Sequence, residues 1–143
     1  MLRHDPDKIG LIIRDLHLEV QSYLTKRLEP LSLAPEQHLL MILLLENDGL
    51  SQTEIAEKLN KDKASIARMI SSLEKKQYVY RATSKHDGRV ILVFVSEKGI
   101  ALKKDMYRIG QEINVVLEKN FNEDEKNTLK HLLQQIQMNM RES

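Results

Sequence analysis

Cysteine and tryptophan are both missing from this chain of 143 residues. Without cysteine there is no disulfide scaffold, no cysteine-ligated zinc and no thiol-based redox sensing. Glycine and proline are scarce, at 5 and 3 residues, so helices should dominate. Long apolar runs are lacking too: the longest, residues 39–45, is far too short to cross a bilayer. The opening Met1-Leu2-Arg3-His4-Asp5-Pro6 has no apolar signal region. These absences lead us to expect a cytoplasmic protein with no membrane partner. Catalytic signatures are lacking as well. There is no Gly-rich phosphate loop, no G-x-S-x-G and no H-E-x-x-H. His86-Asp87 resembles an acid–base dyad but falls at an expected hairpin tip. No enzyme and no cofactor are expected.

What is present suits one soluble globular domain, residues 1–143, large enough to bury a core unaided. The net charge is only +1, which on its face argues against a nucleic-acid partner. Its distribution argues the other way. Residues 58–89 hold nine Lys or Arg (58, 61, 63, 68, 75, 76, 81, 85, 89) against three acids (62, 74, 87), so this segment carries +6 and the remainder −5. A basic segment of this kind marks a face for a polyanion.

The basic segment overlaps two short helices joined by a tight turn, residues 50–76. Ser51 with Glu54 makes a capping box. Ile55, Ala56 and Leu59 form one apolar face. Asn60 tolerates the left-handed bend that the turn needs, and Asp62 caps the second helix. That helix turns Ile66, Met69, Ile70 and Leu73 inward at helical spacing. Small Ala56 permits a close crossing, which Ile66 locks. This is a helix-turn-helix pattern. Lys63, Ser65, Arg68, Ser71, Ser72 and Lys75 project from the opposite face, a set able to grip phosphates and base edges. The bland alternative is a solvated face in an ordinary bundle.

The segment after residue 76 decides between them. Residues 78–83 and 90–95 are β-branched or aromatic runs around the turn Ser84-Lys85-His86-Asp87-Gly88-Arg89. A hairpin directly after a recognition helix is a wing, with Lys85 and Arg89 at its tip. Arg89 suits a narrow minor groove, whereas Asp87 reads as a structural residue that steadies an arginine or caps the turn.

The rest of the chain is helical. Asp5-Pro6 offers a helix start, followed by a seam of Ile9, Ile13, Leu16, Val20 and Leu24. Pro35 opens a central helix, apolar nearly all round, which Asp48-Gly49 ends. Ser96 caps a helix carrying Leu102, Met106, Ile109, Ile113 and Val116. Asn122 with Glu125 starts a last one lined by Leu129, Leu132, Leu133, Ile136 and Met140. The simplest way to bury such seams is against each other and against a second copy. The expected fold class is mainly α with a small β-hairpin wing (α+β). A winged helix-turn-helix lobe spans about residues 32–97, and dimerisation helices span about 5–30 and 97–142.

Several motifs resemble the MarR family of bacterial transcription regulators. They are Leu33-Ala34-Pro35-Glu36-Gln37, Leu50-Ser51-Gln52-Thr53-Glu54-Ile55-Ala56, Leu73-Glu74-Lys75-Lys76, Asp87-Gly88-Arg89 and Val95-Ser96-Glu97-Lys98-Gly99. The resemblance implies a homodimer with interlocked terminal helices, bound to an inverted-repeat (palindromic) operator in double-stranded DNA. It also implies a small-molecule effector, often phenolic or anionic, in a crevice between the dimer helices and the winged lobe. Four positions depart from the family pattern. Gln77 replaces a glycine, so the turn after the recognition helix should be less tight. Ala34 replaces a hydroxyl cap, Ala67 a polar residue and Gly88 a basic wing residue.

The leading expectation is thus a dimeric transcriptional regulator, a repressor by family habit. Its DNA-binding residues would be Ser51, Gln52, Lys61, Lys63, Ala64, Ser65, Arg68, Ser72, Lys85, Asp87 and Arg89. Arg68 with Ser65 would read bases, and Lys58, Lys61, Lys63 and Lys85 would hold phosphates. Tyr23, His38, Met41, Tyr107 and Arg108 are candidate liners of the ligand crevice, though core or dimer packing explains each as well. One alternative is a metal-responsive regulator using His17, His38, Glu112 and His131, although no two histidines sit at i, i+4 and no metal ligand is assigned. Another is a winged-helix module for an acidic protein partner.

Overall fold

The computed structural model describes residues 7–47 and 49–143. In chain order the elements are α1 (Ile9–Leu28), a 3-10 turn (Glu29–Leu31), α2 (Pro35–Glu46), α3 (Gln52–Leu59) and α4 (Lys63–Lys75). Then come β1 (Val79–Thr83), β2 (Ile91–Val95), α5 (Glu97–Ile100), α6 (Lys103–Glu118) and α7 (Glu123–Arg141). The expected class, mostly helix with one antiparallel hairpin, is what is found. Among the described residues no helix is long and apolar enough to cross a membrane. The helix start expected at Asp5-Pro6 lies outside the described residues, as does Asp48.

Two compact units divide the chain, one ending at Gly110 and the other running from Gln111 to Ser143. The core of the first gathers Leu28, Leu40, Met41 and Leu44 with Ile55 and Ala56 of α3 and Ile66, Ile70 and Leu73 of α4. Val79 and Val93 of the hairpin, Met106 and Ile109 of α6, and Leu33, Leu50 and Tyr78 between elements belong to it too. The inward faces read from α3 and α4 are therefore the buried ones, with Leu59 and Met69 packed at the edge. Truncating a wholly enclosed side chain such as Ile66 or Leu73 to alanine costs about 2–5 kcal/mol.

Local chemistry fixes where α3 and α4 begin and end. Ser51 Oγ accepts from the Glu54 N–H, and the Glu54 carboxylate accepts from the Ser51 N–H, each at 3.1 Å. Asn60 bends left-handed at φ 52, and Asp62 accepts from the Ser65 N–H at 2.9 Å. α2 starts at Pro35 with half a capping box. Gln37 Oε1 accepts from the Ala34 N–H at 3.2 Å, and the Ala34 methyl has nothing to return. Gly49 follows α2 at φ +90, with the Phe94 ring where a Cβ would stand, 2.6 Å from its nearest atom.

Two expectations are corrected. The turn after α4 is tight despite Gln77. This residue adopts φ 65, and the Tyr78 N–H closes onto the Leu73 carbonyl at 3.0 Å, the wrap that glycine usually provides. The helix expected from Ser96 is interrupted, with α5 ending at Ile100 and α6 starting at Lys103. Gly99 is pressed against the Tyr78 carbonyl, 2.4 Å from where a Cβ would sit, and the Leu102 N–H reaches back only three residues to Gly99 O. Tertiary contact thus holds α5 against the residue that precedes β1.

The second unit holds the end of α6 and all of α7. Asn122 and Glu125 make the expected capping box, at 3.0 and 2.8 Å. No residue of α7 is buried; Leu129, Leu132, Leu133 and Met140 stay exposed. In the first unit Ile9, Ile12, Ile13 and Leu16 of α1 are likewise uncovered.

Candidate nucleic-acid interface

Lys63, Ala64, Arg68, Ser71 and Lys75 are exposed along α4, with Ser65, Ala67 and Ser72 half-exposed beside them. A groove of about 630 Å³ is lined by Ala67, Arg68, Ser71, Ser72, Lys75 and Lys76. A second, of about 330 Å³, is lined by Glu36, Gln37, Lys61, Ser65, Arg68 and Met69. Arg68 lines both. Its Nη2 donates to Ser65 Oγ at 3.1 Å, and Ser65 Oγ donates to Asp62 Oδ1 at 2.6 Å. The Ser65 hydroxyl, then the Ser65 N–H, hold the Asp62 carboxyl below the usual carboxylate range.

The basic segment divides into structural cations and uncommitted ones. Lys76 Nζ donates to Ser32 O at 2.6 Å and to Gln37 Oε1 at 2.9 Å, and burial lowers its pKa from the ordinary lysine value. Arg81 pairs with Glu74 at 2.9 Å, tying β1 to α4, and Lys61 pairs with Glu36. Lys58, Lys63, Lys75 and Lys85 have no ion-pair partner among the described residues. Four uncommitted ammonium groups and Arg68 thus leave positive charge exposed on this lobe.

Other residues expected at the interface have structural duties. Ser51 caps α3, and Gln52 Nε2 donates to Lys63 O at 3.2 Å, joining the starts of α3 and α4. Ser72 faces Gln37, whose Nε2 donates to its hydroxyl at 3.1 Å. At the wing tip the Arg89 N–H and Nε both reach Asp87 Oδ1, at 3.0 and 3.3 Å, while the Arg89 side chain remains 92% exposed. Asp87 thus steadies the arginine and closes the turn. Behind the tip, Tyr80 and Phe94 stack across the hairpin at 5.5 Å.

The crevice candidates are each engaged locally. The Arg27 guanidinium lies 3.4 Å over the Tyr23 ring. His38 is buried, with Nε2 2.8 Å from Met106 O. Met41 is wholly enclosed in the core. Tyr107 donates to Glu46 at 3.3 Å, and burial, then the Glu46 charge, raises its pKa. Arg108 bonds Asp105 at 3.1 Å. Among the described residues no group of three or more His, Asp or Glu is placed to hold a metal ion, and this includes His17, Glu112 and His131.

Two contributors do not stand out in the sequence. Gln37 reaches α4 from far along the chain, and nothing in its neighbourhood signals that. Asp62 reads there as a cap only. Its spacing to Ser65 and then Arg68, three residues each time, places all three on one helical face and is the signal that could reveal the connection.

Comparison with known proteins places this geometry. The model of the MarR family matches residues 33–91, the stretch from α2 through the start of β2. The uncharacterised HTH-type transcriptional regulator YybA of Bacillus subtilis is 27% identical over 93% of this chain and 86% of its own. A MarR transcriptional regulator from Methanosarcina mazei is 30% identical, with a TM-score of 0.80 over 94% of this chain and 96% of that one. A mutant Escherichia coli MarR, crystallised with operator DNA, is 26% identical with a TM-score of 0.81, over 90% and 92% of the two chains.

Proposed function

Since this chain belongs to the MarR family of transcriptional regulators, we propose that it works as a homodimer on an inverted-repeat operator in double-stranded DNA. Each α4 enters a major groove and each Arg89 the flanking minor groove. The observation that carries this reading is Arg68, set between two grooves on the exposed side of α4 with uncommitted Lys63 and Lys75 on the same helix. The operator complex of the E. coli relative supports it. Arg68 is the base reader, through bidentate contact with a guanine edge. Lys58, Lys63 and Lys85 hold phosphates, and Lys61 joins them if it exchanges Glu36 for phosphate.

A second copy is supported by the uncovered apolar residues of α1 and α7, which otherwise meet water. In this reading the chain is one domain, with the winged lobe at about 32–97 and dimerisation helices at about 5–30 and 97–142. It acts where the DNA is, in the cytoplasm, as a repressor that a small phenolic or anionic ligand releases; these last roles follow the family resemblance. Selection of duplexes from a random library tests the reading. It should enrich an inverted repeat with half-sites about one helical turn, roughly 10 bp, apart. Enrichment of nothing, or of a single asymmetric site, would refute it.

A further inference from the structure

We propose that Asp62 and Ser65 are positioning residues that aim Arg68, and that Ser65 is not an independent base reader. The inference rests on α4 being the DNA-reading helix. A serine hydroxyl has one proton to give. Here that proton goes to Asp62 Oδ1 at 2.6 Å, a short charge-assisted bond. The oxygen in turn accepts from Arg68 Nη2 at 3.1 Å, so the hydroxyl's proton and one of its two lone pairs are committed inside the protein. Asp62 uses both its oxygens: Oδ2 takes the Ser65 N–H at 2.9 Å and caps α4, while Oδ1 fixes the hydroxyl. Arg68 spends one of five N–H groups on Ser65 and keeps the rest of its planar fork for a guanine edge.

The arrangement has an electrostatic side as well. Asp62 places a negative charge at the start of the helix that meets DNA, beside Lys61 and Lys63. That charge weakens binding to every duplex alike, because phosphate attraction is independent of sequence. What the carboxylate returns is discrimination, through the direction in which Arg68 points.

Two substitutions in the full-length chain separate aiming from capping. Asp62→Asn keeps an oxygen for the Ser65 N–H, and asparagine caps about as well as aspartate, but with that bond kept its NH2 group stands where Oδ1 accepts the hydroxyl proton, and an NH2 group only donates. Ser65→Ala leaves the cap and removes the relay from the other end. Dissociation constants for the selected duplex and a scrambled one, at one salt concentration, give a specificity ratio. We expect that ratio to fall about tenfold in either variant, the scale of one misplaced bidentate contact. For Asp62→Asn, scrambled DNA should bind as tightly as to wild type or tighter, and both variants should melt within a few degrees of wild type. In an Arg68→Ala background neither substitution should change the ratio further.

An unchanged ratio in either variant overturns the proposal, as does a further loss in the Arg68→Ala background. Should Asp62→Asn fail to fold, Ser65→Ala carries the test, since it retains the cap. A wild-type protein with no preference between the two duplexes would instead defeat the reading of α4 itself.

Discussion

The side-chain amide of Gln37 donates to the Ser72 hydroxyl across 3.1 Å, joining the first turn of α2 to the last turns of α4. The Gln37 oxygen meanwhile accepts from Lys76 at 2.9 Å and from the Ala34 N–H at 3.2 Å. Ser72 is therefore a strut first. Ser72→Ala should destabilise the protein by about 1–2 kcal/mol, because the nearly buried Gln37 amide loses its acceptor. Urea unfolding measures this, and site preference should suffer less than in Arg68→Ala. Unchanged stability with a loss of preference equal to that of Arg68→Ala would make Ser72 a DNA contact instead.

Gln77 holds φ 65 where a side chain is disfavoured, in the wrap that ends α4. Gln77→Gly relieves this, while the freer unfolded chain of a glycine takes back part of the gain. The net expectation is a stabilisation of about 0.5–1 kcal/mol, read as a higher urea midpoint at unchanged m. A lower midpoint would mean that the Gln77 side chain contributes contacts of its own.

Lys85 and Arg68 should fail differently when removed. Lys85→Ala should weaken selected and scrambled duplexes alike and flatten the salt dependence of log K by about 1 per protomer. Arg68→Ala should cost about 1–3 kcal/mol on the selected site and relax its sequence preference. Titrations at several salt concentrations separate the two. The reverse pattern would exchange their roles.

How much of the fold and the interface is legible in the sequence depends on distance along the chain. The α3–turn–α4 unit is readable because its determinants are local: Ser51 with Glu54, the bend at Asn60, the cap at Asp62. The hairpin is readable from its β-branched runs, and its strands begin one residue later than expected. Which cations face solvent is not readable. Lys76, Lys61 and Arg81 are matched to Gln37, Glu36 and Glu74, partners that only folding brings near. The break between α5 and α6 is hidden too, since the apolar seam runs through it and the close approach of Gly99 to the Tyr78 carbonyl exists only once the chain is folded.

Acidity offers a separate check on Asp62. The Ser65 hydroxyl and N–H keep its carboxyl more acidic in the folded chain than in the unfolded one. Such a group contributes stability that is complete above its unfolded pKa, about 3.9, and that is lost as pH falls through the lowered folded value. Thermal melts between about pH 5 and pH 2 should therefore show the wild type losing its small advantage over Asp62→Asn as the carboxylate is protonated. Parallel curves over that range would contradict the bond geometry at the α4 cap.

The most direct test is sedimentation of the purified protein mixed with a duplex carrying the selected inverted repeat, at low and high salt. The account predicts a saturable complex of two chains per duplex that weakens steeply as salt rises. One chain per duplex, or no complex in dilute buffer, would contradict it.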